Sequence, residues 1–184
     1  MDKLNGWENA NSYGDFKTLK AGAYKCEIKR VEELKSTNGK KFVKISLDIA
    51  EGEFENYFSE KYTNDTRTDK KWSGIWNLFL EGYDTGSVNT KFKGFITSIE
   101  KSNYGFIWDW DEQKLTNKIV GIVFRDEEFK ASDGSIKSSA KPFYAVPVDE
   151  LEKVKVPEPK LLEGEIGSVA NNDFASYEGD DLPF

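Results

Sequence analysis

The chain has 184 residues, 33 Asp and Glu against 26 Lys and Arg, and a formal net charge of −7. It has no histidine and a single cysteine, Cys26, which excludes an internal disulfide framework, a Cys/His zinc site and Ser–His or Cys–His catalysis. The length suits one domain plus a tail. The start lacks the apolar core of a secretion signal and no stretch is apolar enough to span a bilayer, so the expected setting is cytoplasmic, without a membrane.

The charge is unevenly divided. Residues 151–184 carry eight Asp/Glu and three Lys, a net of −5, which leaves −2 for the first 150 residues. A near-neutral domain can hold a basic stripe while a solvated tail holds the acid elsewhere.

Residues 1–20 read as an N-terminal arm, and strand-like alternation opens at Gly22. Tyr24, Cys26 and Ile28 alternate with Lys25, Glu27 and Lys29 until Val31 breaks the phase, which predicts a bulge. Ser36-Thr37-Asn38-Gly39-Lys40 predicts a hairpin turn, because Asn-Gly favours positive φ. In the next strand Val43, Ile45, Leu47 and Ile49 face inward, with Phe42, Lys44, Ser46 and Asp48 on the other face. Tyr57-Phe58-Ser59 reads as a short third strand, followed by a polar loop from Thr63 to Lys71.

Trp72, Ile75, Trp76 and Phe79 recur at helical spacing, with Gly82 as a stop, and predict a helix whose tryptophans are core. Phe92, Phe95, Ile96 and Ile99 predict a second helix, capped at Asn89-Thr90. Strands return over Ile119–Phe124 and Phe143–Val148, with a turn at Ser132-Asp133-Gly134. Periodicity stops beyond Leu151. Prolines, glycines and acids over 151–175 then read as a flexible acidic linker, expected to be disordered. The expected architecture is mainly β with a helical insertion over 21–150, compatible with a five-stranded OB-fold-like β-barrel.

Binding of single strands needs cations along the phosphates and aromatic faces for the bases. The second strand and its surroundings offer Lys25, Lys29, Lys40, Lys41, Phe42 and Lys44. The segment 57–72 offers Tyr57, Lys61, Tyr62, Arg67, Lys70 and Lys71, on a loop able to close over a backbone. Trp108 and Trp110, two apart in a strand-like run, would share one face. They read as a barrel lid, with a base- or sugar-stacking platform as the alternatives. Asp126-Glu127-Glu128 reads as a solvated hairpin arm rather than a metal site. No residue pattern calls for a metal or cofactor, or for an enzyme; a carboxylate-dependent nuclease would need a compact pair of acids beside a lysine, and none stands out.

The sequence closes on Asp180-Asp181-Leu182-Pro183-Phe184, an apolar plug flanked by negative charge, as in segments that dock in a partner's pocket. It resembles the C-terminal tip of bacterial and phage single-stranded DNA-binding proteins. A looser resemblance, over about Gly22 to Val148, is to small proteins of phages and mobile elements of Gram-positive bacteria. The resemblance implies an OB-fold, non-catalytic binding of single-stranded DNA in a bacterial host, and docking of replication, recombination and repair proteins through residues 176–184. A homo-oligomer is compatible with the sequence. The competing expectation is an interaction or decoy protein that displays this tip to host replication proteins without binding DNA.

Overall fold

A run of alternating apolar residues needs a neighbouring strand for its backbone and a core for one face, and here both come from one sheet. The computed structural model of the chain describes residues 2, 17–82 and 86–162. Strands β1 (Gly22–Lys35) and β2 (Lys41–Ile49) form an antiparallel hairpin. At its turn the Ser36 N–H donates to the Lys40 carbonyl at 2.9 Å, and Gly39 takes a φ of 78° that strains no side chain. The register passes from Ile28–Leu47 to Arg30–Ser46, so Lys29 is the extra residue of a bulge. That bulge flips the alternation and turns Val31 inward beside Cys26 and Ile28.

The third strand is β3 (Ile75–Phe79), which pairs with β2; β4 (Ile119–Lys130) pairs with the first half of β1, and β5 (Ile136–Val146) pairs with β4. The order is β3-β2-β1-β4-β5, antiparallel throughout, and the two outer strands β3 and β5 approach each other. The β4–β5 turn lies at Ala131–Ser135, with Gly134 at a φ of 81°, as the Ser132-Asp133-Gly134 signal predicts.

Two elements differ from the sequence reading. Tyr57–Thr63, read in part as a strand, is a short helix, α1. The orphan N–H groups at a helix start need acceptors, and Asp48 of β2 supplies them to Phe58 (3.0 Å) and Ser59 (3.2 Å). The run around Trp76, read as a helix, is β3: Trp76 and Leu78 are buried while Ile75, Asn77 and Phe79 are less so. Backbone pairing with β2 overrides a local spacing that both structures can satisfy. The expected core role of Trp76 holds.

Helix α2 (Thr90–Ser102) forms where its apolar period and its cap predict, with the Asn89 side chain accepting from the Lys91 N–H at 2.9 Å. Its Phe92, Phe95, Ile96 and Ile99 close the core against the inward residues of the sheet. Each such fully buried side chain contributes about 1.5–3 kcal/mol. Asn103 fastens the helix end to β4, donating to the Ile99 and Ile119 carbonyls at 2.8 and 2.7 Å.

The ends of the domain are more structured than expected. Leu19, assigned to the arm, is buried in the core. Residues 151–162, assigned to the start of a flexible linker, include the end of a 3-10 turn (Val148–Lys153) and a parallel bridge between Lys160 and Glu127. No helix among the described residues is long and apolar enough to cross a membrane.

Candidate nucleic-acid interface

On β2, alternation sets Lys44 and Phe42 on the face opposite Val43, Ile45 and Leu47. Phe42 nevertheless offers no free ring. It is 1% exposed and packs edge-on against Phe79 of β3, centroids 5.8 Å apart. Its expected stacking role is corrected on that ground: the adjacent strand covers what the alternation left open. Lys44 is half-buried between Glu32 of β1 and Asn77 of β3 in the register, with no ion pair among the described residues. The Asn77 Oδ1 beside it is buried and has no hydrogen-bond partner among the described residues.

Four of the other eight expected cations carry local counter-charges. Lys25 pairs with Glu51 at 2.8 Å, Lys29 with Glu27 at 2.7 Å, Lys41 with Glu33 at 2.8 Å and Arg67 with Asp65 at 2.6 Å. Such exposed pairs are weak in water, so a phosphate can replace the carboxylate, but they do not form a bare basic stripe. Lys25 also lies at one end of the β1–β2 hairpin, while Lys40 and Lys41 lie at the other. Ten residues of strand put roughly 30 Å between them. These lysines do not form one patch.

The segment 57–72 is drawn together more tightly. Trp72 donates its indole N–H to the Leu47 carbonyl at 3.1 Å, which ties the end of the loop to β2. Tyr62 then meets Trp72 at 5.9 Å between centroids, and the Lys70 ammonium lies 4.6 Å from the Tyr62 ring. Lys61 lies 5.9 Å from Tyr57, whose ring also packs edge-on against Phe54 and Phe58. Lys71 is exposed beside this group. Two tyrosines, a tryptophan and three lysines thus share one end of the sheet. Arg67 is held apart by Asp65, whose carboxyl it keeps at a pKa of about 2 through hydrogen bonds and charge.

A second cationic group escapes the sequence reading. Lys91 of α2 and Arg125 of β4 both lie on the Phe143 ring of β5, 4.0 and 3.9 Å from its centroid. Glu127 pairs with Arg125 at 2.6 Å, while the Arg125 Nε is buried without a hydrogen-bond partner among the described residues. Burial, and then the charge of Arg125, lower the pKa of Lys91. Three elements converge here, and no spacing along the chain signals it. The β4–β5 hairpin arm adds exposed Phe129 and Ile136 alternating with Lys130 and Lys137.

Trp108 and Trp110 lie in a loop rather than a strand, yet on one side, with centroids 6.1 Å apart. Trp108 packs on the core as the lid reading expects, whereas Trp110 is 75% exposed. Among the described residues no group of three or more acidic, cysteine or histidine side chains is placed to hold a metal. The segment Asp180 to Phe184 lies outside the described residues. A scan against protein-family models and a search of curated proteins each found no match to this chain.

Proposed function

We propose that this chain is a non-catalytic single-stranded DNA-binding protein built on an OB-type barrel. The observation that carries the proposal is the strand order β3-β2-β1-β4-β5, with β3 approaching β5 and α2 inserted between β3 and β4. An OB barrel of that order binds oligonucleotides across its second and third strands and in the loops after its first and fourth strands. Here those positions hold Lys44, the Ser36–Lys40 turn and the Lys130–Lys137 arm; the Tyr62–Lys70–Trp72 group lies toward the end of β2 away from that turn. Bases stack on Tyr62 and Tyr57, and phosphates lie on Lys44, Lys61, Lys70 and Lys71, with Arg67 and the ion-paired lysines exchanging carboxylate for phosphate. Each stacked base contributes about 1–3 kcal/mol.

The partner-docking part of the reading rests on the sequence Asp180-Asp181-Leu182-Pro183-Phe184 and its resemblance to the tips of such proteins. Replication and repair proteins of a bacterial host are the partners it proposes.

The ion pairs on Lys25, Lys29, Lys41 and Arg67 favour a second reading, an interaction protein that shows the tip without binding DNA. Titration with oligo-dT, followed by tryptophan fluorescence over a range of salt, separates the two. The first reading expects saturable binding whose log–log salt slope grows by about 0.7 for each phosphate engaged. No signal at low salt overturns it in favour of the second.

A further inference from the structure

At one end of the sheet the chain leaves a cleft of about 310 Å³, at the small end of the range of ligand pockets. Val43, Leu80, Val88 and Phe92 give it apolar lining, together with Trp108 and Trp110. Three carboxylates, Glu33, Glu81 and Glu112, line it against the single ammonium of Lys41. Lys41 pairs with Glu33 at 2.8 Å and is also within reach of the charge of Glu81, while neither Glu81 nor Glu112 has an ion pair among the described residues. Phosphate is repelled by this wall, and a cation is drawn to it.

Trp110 is held exposed, while Trp108 packs on the core and also lines the cleft. Trp110 adopts a φ of 70°, a left-handed angle that costs a bulky residue strain. The loop is pinned on both sides of it: Lys114 bonds Asp109 and reaches Asp111 at 3.9 Å, and Asp111 accepts from the Gln113 N–H at 3.1 Å. Trp108 has a buried Nε1 with no hydrogen-bond partner among the described residues. A phenylalanine would cover the core without that loss, whereas an indole gives the strongest aromatic face to a cation. Tyr104, Ile107 and Val88 are also exposed, which gives the loop and the cleft apolar neighbours of the kind that mark contact with another polypeptide.

We infer that this cleft is a docking site for a basic side chain, lysine or arginine, on an apolar-flanked segment of a partner protein. The cation lies against the indoles of Trp108 and Trp110 and pairs with Glu81 and Glu112. The flanking apolar residues cover Val88 and Ile107. This site borders the proposed DNA-binding face at Lys41, which lines the cleft, and its argument does not depend on that reading.

The test titrates the full chain with a capped hexapeptide of alternating arginine and leucine, read by the NMR signals of the indole N–H groups. A hexapeptide of alternating glutamate and leucine and an oligo-dT serve as the other arms. The Trp108 and Trp110 signals are expected to move with the arginine peptide alone. Glu81→Gln with Glu112→Gln, and separately Trp110→Ala, should each weaken that binding by at least about fivefold, with thermal unfolding unchanged because these side chains contribute little to the core. Four results overturn the inference: no shift with the arginine peptide, an equal shift with the glutamate peptide, full affinity in the double carboxamide variant, or movement of the same two signals with oligo-dT. The last would assign the cleft to nucleic acid.

Discussion

Cys26 has no exposed surface, and burial, reinforced by the charge of Asp48, pushes its thiol pKa well up. In the unfolded chain the thiol ionises near its ordinary value of 9.0. The folded state therefore holds a proton that the unfolded state gives up. The stabilisation is fully present below that value and is lost as pH rises toward the native pKa. Urea unfolding at about pH 7.5 and about pH 10 should show a larger loss for the native chain than for Cys26→Ala; equal losses would reject the assignment. On the surface, Asp65 holds Arg67 through hydrogen bonds of 2.9 and 2.6 Å. Under the single-strand reading a phosphate must displace it. Asp65→Asn should tighten oligo-dT binding by about two- to threefold and steepen the salt slope by up to about 0.7. An unchanged slope would remove Arg67 from the interface.

At the scale of elements, α1 depends on a side chain outside itself. Asp48 is 1% exposed and receives the N–H groups of Ile49, Phe58 and Ser59 at 2.9, 3.0 and 3.2 Å. Removing this acceptor leaves donors unpaired at the helix start, each costing about 1–3 kcal/mol where water cannot reach. Asp48→Ala is expected to cost about 3 kcal/mol in urea unfolding, and Asp48→Asn, which keeps one acceptor oxygen, distinctly less. A loss in Asp48→Ala below about 0.5 kcal/mol would mean that α1 is held by its buried Phe58 alone. Because α1 carries Tyr57, Lys61 and Tyr62, the same substitution should also weaken oligo-dT binding if the proposed face is correct.

For the molecule as a whole, the folded unit runs past the boundary that composition suggests. Lys160 donates its N–H to the Asp126 carbonyl at 2.8 Å and accepts from Glu128 at 2.9 Å, while the Leu162 N–H reaches the Glu128 carboxylate at 3.0 Å. These bonds occupy the stretch of β4 beyond its pairing with β1, an edge that would otherwise stay open. A chain ending at residue 150 should melt about 5 °C below one ending at residue 162. Coincident melting curves would show that the added segment contributes nothing to stability.

The elements that could be read from sequence are those whose cause is local. The alternation of Val43, Ile45, Leu47 and Ile49, the turn at Asn38-Gly39, the bulge before Val31, and the cap and apolar period of α2 each depend on neighbours within a few residues. Periodicity and φ preference report such causes directly. Other features depend on partners distant in the chain. Asp48 makes a helix of a segment that looks like strand, β2 makes a strand of one that looks like helix, and Phe79 buries a phenylalanine whose phase points outward. Lys91, Arg125 and Phe143 meet only because α2, β4 and β5 pack together, and Glu33, Glu81 and Glu112 face one cleft only because the sheet curves around its core. The amino-acid sequence by itself determined which residues are apolar, how they repeat and where the chain can turn. The tertiary structure decided which charges are paired and which rings are free, because both depend on what a side chain meets across space.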